Sequence, residues 1–532
     1  MKERAEIAPA RRPSLADEAL AAALGAGLFA TAAVPWLFVR QPPLQDYAEH
    51  VAAATVMSHL ADFPEYVFNG FFKTNSAFVT FAWLAGKAIG VEAAGRVFAV
   101  GVLAVNAFVL PWFVLRFGGR ARMAVASLFA LPFVHNWFVS MGMLNFSLGV
   151  SLSLMALVAL DRHAAAPSWA RGAWAAALGV ATWYTHAVPV LAVGLLVALR
   201  IASRRSAGER STQARLLLPP FVPAAVAVVG STVVHLRGSV RPPAAGAATS
   251  FQDPLWLVYD LWAHWTYGYT ILSVTSLALA AILAVFAVRS ARDDVPFFGP
   301  WALGVLVALY FAAPYQTVGI GYAGSRILPY IWMGALLRVP ERIGAGLAAT
   351  LALGSCLYAT GMAVDAVRLA GEEDEVAAGT GAVPPGARLD FLDFSPRVTS
   401  RNTWSLSTSW GEYVTRRGAH TWEMPGDTPS LPFRWRDPPP PRLEPLRHRA
   451  FLDGAPTRDE WAAYFAEVDP HVDAVVLWDP PAAPLDALAP AWAEAMHRGR
   501  LWVFVRNPAQ ARGGRAGAVL GSGQPTSSRR SD

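Results

Sequence analysis

Two carboxylates and an imidazole lie close together just after the first hydrophobic segment of the chain. They are Asp46, Glu49 and His50, within the run Pro42–His50 (PPLQDYAEH). If this run is helical, the i, i+3 and i+4 spacing places all three side chains on one face. A positioned carboxylate can take a proton from a reacting hydroxyl group. We therefore take Asp46, Glu49 and His50 as candidate catalytic residues.

Other roles for these residues stay open. Asp46 could cap a helix that the sequence predicts from Asp46 to Leu60, because aspartate is a favoured N-cap residue. His50 could hydrogen-bond a substrate or a phosphate. It could also join Asp46 in holding a divalent metal, although a D-x-x-x-H pair supplies only two ligands. No cofactor is therefore certain from the sequence, and a divalent metal remains an alternative.

The composition points to a membrane protein. The 532 residues are 54% hydrophobic and only 15% charged, whereas a soluble chain carries roughly 25% charge. Apolar runs recur from about Leu20 to Met362, and charge and proline dominate from Arg368 onward. The predicted fold is a polytopic all-α membrane bundle followed by a small C-terminal α/β domain. The single cysteine, Cys356, excludes an intrachain disulfide.

The apolar runs predict about eleven membrane spans, because one spanning helix needs roughly 20 apolar residues. They lie near 19–39, 76–91, 95–116, 121–135, 142–160, 172–199, 215–235, 269–288, 297–313, 325–338 and 343–363. The predicted organisation is an N-terminal segment 1–18, a membrane domain 19–365 with a first loop at 40–75, a soluble domain 366–510 and a disordered tail 511–532. No internal repeat is visible.

The net charge of +6 comes mostly from arginines that flank apolar runs, so it indicates orientation rather than nucleic-acid binding. The basic loops at 200–215, 289–292 and 338–342 and the N-terminus are predicted to be cytoplasmic. The first loop and the C-terminal domain then face outward. One basic segment conflicts: Arg116, Arg120 and Arg122 fall on the outer side. Either one short helix does not span, or this loop is an exception.

The C-terminal domain is predicted from two strand-like runs. His471–Trp478 and Arg500–Arg506 are rich in β-branched and aromatic residues, and Leu485–Arg498 between them is typical of a helix. The strand–helix–strand order favours a parallel pair of strands. The domain contains no phosphate-binding loop or nucleophilic triad spacing, which favours a role in covering a cleft or binding an acceptor.

Four further polar residues are binding candidates. Arg326 follows the glycine-rich stretch Gly319–Gly324, so its guanidinium could bind a phosphate, or it could reach to the bilayer surface without a ligand. Lys73, beside an aromatic run, is a second candidate for phosphate. His186 lies within a predicted span, where it either serves function or hydrogen-bonds a neighbouring helix. Asn145 is the fourth. The aromatic residues at 251–269 form either an interfacial belt or a surface for a lipid-linked substrate.

Three short motifs at the ends of spans carry a resemblance. They are Asp46–His50 (DYAEH), Gly142–Gly149 (GMLNFSLG) and Gly324–Pro329 (GSRILP). With an aspartate in the first outward loop, many helices and a small outward α/β domain, the chain resembles the GT-C membrane glycosyltransferases. It is most similar to uncharacterised bacterial relatives that have a D-x-x-x-H, a G-x-x-N and an R-x-L-P element.

The resemblance implies transfer of a sugar from a polyprenyl-phosphate carrier to a lipid or glycan acceptor at the outer face of the inner membrane. Asp46 would act as the base or bind the acceptor, and Arg326 would bind the carrier phosphate. The chain departs from the family near Asn145, where no second carboxylate is found. Two alternatives come from other classes: a transporter or flippase of a lipid-linked or polar solute, and a non-catalytic membrane scaffold.

Overall fold

The computed structural model describes residues 13–238, 249–265, 271–290, 295–317, 320–395, 406–425, 431–436, 456–488 and 492–507. It is mostly helical and divides into two compact units. Unit 1 comprises Met1–Glu372, Arg397–Thr408 and Pro425–Pro438, and unit 2 comprises Glu373–Pro396, Ser409–Met424 and Pro439–Asp532. The boundary between the units thus lies a few residues beyond the predicted one, and parts of the predicted soluble domain belong to unit 1.

Helices dominate unit 1. They are α1 (Leu15–Leu37), α2 (Tyr47–Ser58), α3 (Ala77–Ile89), α4 (Val91–Gly118), α5 (Arg120–Ser127), α6 (Leu131–Val134), α7 (Trp137–Ser140), α8 (Leu144–Ala165), α9 (Trp169–Thr185), α10 (Ala187–Ala202), α11 (Ala207–Gly238), α12 (Pro254–Ala263), α13 (Ile271–Arg289), α14 (Pro300–Ala312), α15 (Leu328–Leu336) and α16 (Ala345–Ala378), which continues across the boundary into unit 2.

Five of the described helices, α1, α4, α8, α11 and α16, are long and apolar enough to cross a membrane. A sixth span is possible if α5 and the α6–α7 segment, which are bent by 80° at their junction, count as one. The prediction of about eleven spans is therefore not confirmed. One reason is that hydropathy counts apolar residues without detecting helix breaks: the predicted span 172–199 is divided between α9 and α10 at His186.

Helices α1 and α4 pack side by side and run in opposite directions. At the end of α4 and the start of α5, Arg116 and Arg120 lie 2.5 and 3.5 Å from Glu18 and Asp17 in the first turn of α1. At the other end, the Arg96 guanidinium in the first turns of α4 donates to the carbonyl oxygen of Arg40, just beyond α1. Helices α1 and α4 are therefore antiparallel neighbours.

The first loop is tied to the start of α8 and to the α9–α10 break. Backbone N–H groups of Gln45 and Asp46 donate to the carbonyl oxygens of Ser140 and Met141 at 3.0 and 3.1 Å. Further along, the hydroxyl of Thr74 donates to the Trp183 carbonyl at 2.9 Å. Three chain segments, the first loop, the junction of α7 and α8, and the end of α9, therefore meet at this end of unit 1.

Four short strands complete unit 1. They are β1 (Tyr66–Phe68), β2 (Gln316–Thr317), β3 (Ile320–Gly321) and β6 (Phe433–Trp435). Strand β1 of the first loop pairs antiparallel with β6, and β2 pairs antiparallel with β3. The segment around β6 had been assigned to the soluble domain by composition, but its strand pairing places it with the first loop.

Unit 2 is built on a five-stranded sheet of order β5-β4-β7-β9-β8. Its elements are β4 (Arg388–Asp393), α17 (Trp410–Arg417), β5 (His420–Thr421), α18 (Arg458–Val468), β7 (Ala474–Trp478), α19 (Ala482–Ala487), β8 (Trp492–Arg498) and β9 (Leu501–Arg506). The side chains of Trp461, Phe465 and Val475 are among those that form its core. The prediction of a small α/β domain holds at this level.

Two details of the predicted domain are wrong. The expected helix Leu485–Arg498 ends early, since α19 stops at Ala487 and Trp492–Arg498 is a strand. Strands β7 and β9 are antiparallel, and the parallel partner of β7 is β4. Alanine, glutamate and methionine give residues 492–498 a helical propensity, but the tight turn at Gly499 (φ +57°) folds them back onto β9.

Candidate functional site

Asp46 lies at the N-terminal boundary of α2, yet its side chain makes no capping hydrogen bond. Its backbone is fixed instead by the bond from its N–H to the Met141 carbonyl. The backbone of Gly142 approaches so closely that a Cβ there would lie 2.7 Å from the Asp46 nitrogen. Gly142 also has φ +80°, which favours glycine. The carboxylate of Asp46 is therefore available for something other than capping.

Glu49 and His50 occupy the first turn of α2, so the predicted shared face with Asp46 is found. All three side chains are half-buried. His50 Nε2 lies 3.2 Å from the Gly142 carbonyl oxygen, and its ring packs against Phe78 at 5.2 Å. Burial lowers the pKa of His50 to about 4, because the cation is poorly solvated there. A neutral His50 thus donates to Gly142 and fixes α2 against the start of α8.

Arg326 lies in a 3₁₀ turn, Ser325–Ile327, and forms a cluster with Asp46 and Glu49. Its Nη1 donates to His186 Nε2 at 2.6 Å, and its Nε donates to the Gly321 carbonyl at 3.3 Å. The guanidinium lies over the Phe146 ring, 5.3 Å from its centroid. Burial lowers the pKa of Arg326 to about 10, while the Asp46 carboxylate opposes this shift. Arg326 and Asp46 therefore interact electrostatically across the cluster.

The two carboxyl groups have different protonation preferences. Burial raises the pKa of both Asp46 and Glu49 above the ordinary range. The pKa of Asp46 is then lowered by a hydrogen bond from Gln45 and by the Arg326 cation, whereas that of Glu49 is raised further by the Asp46 charge. Asp46 is therefore the group that ionises first, and Glu49 is the one that keeps its proton.

This arrangement combines a base, a proton-bearing carboxyl group and a cation. An ionised Asp46 can accept a proton from a hydroxyl group, and Arg326 can bind an anionic group such as a phosphate. Glu49 can donate a hydrogen bond while it is protonated. No model of a protein family matches this chain, and a search of curated proteins finds no relative. The chemistry of the Asp46–Glu49–Arg326 cluster therefore has to carry the functional proposal.

Histidine 186 belongs to the cluster, although it is not mid-span as the sequence predicted. It lies at the break between α9 and α10, where its Nδ1 accepts from the Val188 N–H at 3.1 Å. A neutral imidazole has one acceptor nitrogen, so this bond and the one from Arg326 compete for the ring. His186 therefore positions the guanidinium while leaving it free to exchange partners.

The other two binding candidates have structural partners. The amide of Asn145 is buried and hydrogen-bonded at both ends: its oxygen accepts from the Phe78 N–H and its nitrogen donates to the Asn75 carbonyl, both at 2.9 Å. Asn145 thus joins the start of α3 to α8. Lys73 donates to the Leu431 carbonyl at 3.1 Å, and burial, together with nearby Arg434, lowers its pKa to about 8. Its contacts are with the β6 segment and not with Arg326.

Among the described residues, the fold does not add a third metal ligand to Asp46 and His50. In the ranges that the structure describes, no group of three or more histidine, cysteine, aspartate or glutamate side chains is arranged to hold a metal ion. His50 was one of the two proposed ligand residues, and its Nε2 atom already faces the Gly142 carbonyl.

A buried polar chain beside Arg326 was missed by the sequence reading. Asp260 Oδ1 lies 3.4 Å from His264 Nε2, and His264 Nδ1 lies 3.0 Å from Ser325 Oγ. All three residues are at most 3% exposed, and Trp137 stacks on the His264 ring at 3.8 Å. These three hydrogen-bonded side chains therefore fix Ser325, the residue next to Arg326, from within the core. Their signal was the D-x-x-x-H spacing of Asp260 and His264, hidden among aromatic residues.

Proposed function

We propose that this protein is a membrane glycosyltransferase that moves a sugar from a polyprenyl-phosphate carrier to a lipid or glycan acceptor. The observation that carries the proposal is the convergence of Asp46, Glu49 and Arg326 in one half-buried cluster. The three motifs on which the GT-C resemblance rests contribute to it: Asp46 contacts Gly142 at the backbone, and Arg326 lies over Phe146.

The proposed reaction needs both groups. The acceptor oxygen forms a bond to the anomeric carbon, and the bond from that carbon to the phosphate oxygen breaks, with its electron pair leaving on the phosphate. Asp46 takes the proton that the acceptor hydroxyl loses. Arg326 stabilises the charge on the departing phosphate, which a guanidinium can bind through two parallel hydrogen bonds.

Binding of the carrier would also change the pKa of the base. The Arg326 cation lowers the pKa of Asp46 when no other anion is present. A phosphate at Arg326 neutralises part of that charge, so the pKa of Asp46 rises. The pH above which Asp46 is ionised should therefore be higher with the donor bound than without it.

The proposal includes the finer architecture expected from the resemblance. The membrane domain would be GT-C-like with about eleven membrane helices in the inner membrane, some of them shorter than a full span. The N-terminus would be cytoplasmic, and the first loop and the C-terminal α/β domain extracytoplasmic. The clustering of basic segments at the end of unit 1 opposite Asp46 supports this orientation.

The test is sugar transfer by purified protein in lipid vesicles, with radiolabelled polyprenyl-phosphate sugars and lipid extracts as acceptors. Transfer by wild type, lost in Asp46→Asn, is the expected result. No transfer by wild type across hexose, pentose and aminosugar donors would refute the proposal. Equal transfer by both proteins would remove Asp46 from the mechanism.

Transport is a second candidate because of the broken helices. Helices α9 and α10 separate at His186, and the α5 and α6–α7 segments are bent by 80°. Transporters often form substrate sites at such breaks. In sealed vesicles, movement of a polyprenyl-phosphate sugar between leaflets without covalent transfer would favour a flippase over a transferase. A scaffold would show neither activity, and Asp46→Asn would then have no functional effect.

A further inference from the structure

A small, partly open cavity lies next to the Arg326 cluster. It has about 30 Å³ of space for the centres of water molecules and lies among α4, the α6–α7 segment, α8 and α15. Phe146, the ring beneath the Arg326 guanidinium, forms part of its wall, and so does Pro329, three residues after Arg326. The cavity and the cluster thus share one wall.

Two buried polar atoms in this wall lack a partner. Ser147 Oγ and Trp265 Nε1 make no hydrogen bond within the described part of the chain, although these residues are only 6% and 2% exposed. Such atoms are uncommon, because an unpaired buried polar group costs roughly 1–3 kcal/mol. The Trp265 ring is held between Trp332 and Phe133, at 4.5 and 5.4 Å, so it cannot easily turn away. A ligand group in the cavity that both accepts and donates hydrogen bonds would suit these two atoms.

The lining sets the chemistry of that ligand. No charged or histidine side chain is among the described residues around the cavity, so an ion there would have no counter-charge. Asn106 and Ser151, also in the wall, are already paired with each other at 2.6 Å. Most of the remaining wall is aliphatic or aromatic. The space holds about two or three water-sized centres, which is about the size of a hydroxymethyl group.

We propose that Ser147 and Trp265 bind a neutral hydroxyl-bearing substituent, of hydroxymethyl size, on the ligand whose phosphate Arg326 binds. The indole N–H donates to the hydroxyl oxygen, and the hydroxyl group donates to Ser147 Oγ. The carbon atom of the substituent packs against the Phe146 ring. Because the ligand's phosphate is included, the assignment to a sugar carrier rests on the function proposed above, whereas the hydroxyl site itself does not.

The hydroxyl site can be tested without any carrier. Protein with ¹⁵N-labelled indoles is titrated with ethanol, and the Trp265 resonance is identified by its loss in Trp265→Phe. A saturable shift of this resonance is expected, with about three- to tenfold weaker binding in Ser147→Ala, the loss of one hydrogen bond. Ser276→Ala is the matched control, because Ser276 Oγ is also buried and unpartnered but lies in α13, away from the cavity. Absence of a saturable shift in wild type would overturn the site.

The second measurement compares carriers with and without the hydroxyl group. Binding of polyprenyl-phosphate hexose and its 6-deoxy counterpart is measured for wild type, Ser147→Ala and Ser276→Ala. Wild type and Ser276→Ala should prefer the hexose by about three- to tenfold, and Ser147→Ala should lose the preference. An unchanged preference in Ser147→Ala overturns the role of the cavity in carrier recognition. If ethanol binds beside Trp265 but neither carrier binds, the proposed function fails and the hydroxyl site stands.

Discussion

Replacing Asp46 by asparagine removes a charge with little change of shape. The side chain makes no capping bond, and the backbone bond from residue 46 to Met141 does not depend on the carboxylate. The variant should therefore keep the fold of α2 and its contact with Gly142. Any loss of turnover then reports on the chemistry of the carboxylate and not on its packing.

The expected effect divides between turnover and donor binding. Loss of a general base lowers the rate by roughly 10²- to 10⁴-fold, so kcat should fall at least about a hundredfold. Donor binding should be unchanged or tighter, because Asp46 competes with the carrier phosphate for the charge of Arg326. Glu49 loses the neighbouring charge that raises its pKa and becomes easier to ionise, but it lies one helical turn away from the position of the base.

The assay is the initial rate of sugar transfer in lipid vesicles, as a function of donor concentration and of pH. Asp62→Asn is the matched control, because Asp62 lies in the same loop with a side chain that is 76% exposed. The wild-type rate should rise with pH through the neutral range, since a base with a raised pKa is protonated below it. In Asp46→Asn this rise should be lost.

Two results would refute this reasoning. If Asp46→Asn keeps its kcat and loses donor affinity instead, Asp46 binds substrate and is not the base. If Asp46→Asn and Asp62→Asn lose the same fraction of turnover, the effect is not specific to the cluster.

Three further perturbations test the other parts of the site. Arg326→Lys keeps the charge but loses bidentate binding, so the KM for the donor, measured from initial rates, should rise about tenfold or more, and an unchanged KM would exclude a phosphate clamp. Gly142→Ala places a Cβ 2.7 Å from the Asp46 nitrogen, whereas Gly119→Ala, at the same φ of +80°, meets no atom within 4 Å. Thermal unfolding should show that Gly119→Ala loses roughly 1 kcal/mol of stability through backbone strain and that Gly142→Ala loses clearly more. Equal losses would contradict the close contact. The pKa of Glu49 is raised in the folded state, so its ionisation opposes folding above the unfolded pKa. The free energy of unfolding of Glu49→Gln, relative to that of wild type, should therefore increase by about 1–3 kcal/mol from pH 5 to pH 8. A difference that does not change with pH would show that Glu49 titrates normally.

The local part of the site could be predicted from the sequence. The spacing of Asp46, Glu49 and His50 required only a helix in this segment, and α2 provides it. The second motif begins with Gly142, and its spacing did not show why a glycine is needed there. In the structure, Gly142 allows its backbone to approach that of Asp46 closely. By contrast, the role of Asn145 depends on Asn75 and Phe78, which are about 70 residues away. A buried amide and an exposed one have the same letter in a sequence.

Tertiary contacts determine the structure of two segments whose sequences fit more than one environment. The aromatic stretch at 251–269 suggested a belt or a substrate surface, yet its side chains divide: Phe251 and Trp256 are 68% and 59% exposed, whereas Trp265 is buried in the cavity wall. Likewise, residues 492–498 follow helical propensity only until β9 offers them a strand partner. In both segments a composition that fits two environments is resolved by the neighbours it meets.

The orientation conflict at Arg116, Arg120 and Arg122 has a structural answer. Helix α3 has 13 residues, which is about 20 Å and too short for a bilayer core of roughly 30 Å. If α3 does not span, the end of α4 returns to the side of the N-terminus, where Arg116 and Arg120 meet the acids of α1.

Two further basic segments, those that contain Arg338 and Arg200, lie at this same end of unit 1. Arg122 donates to the Val339 carbonyl at 2.7 Å, and Arg338 donates to the Phe298 carbonyl at 3.0 Å. The Arg200 guanidinium lies over the neighbouring Phe297 ring, 4.4 Å from its centroid. If α3 does not span and α9 and α10 each cross the membrane, the basic residues that contradicted the positive-inside rule would satisfy it, and the C-terminal domain would stay on the outer side. If that end is cytoplasmic, as we propose, Asp46, beyond the end of α1, and Arg326, before the start of α15, would face outward, the side on which a polyprenyl-phosphate sugar would be used.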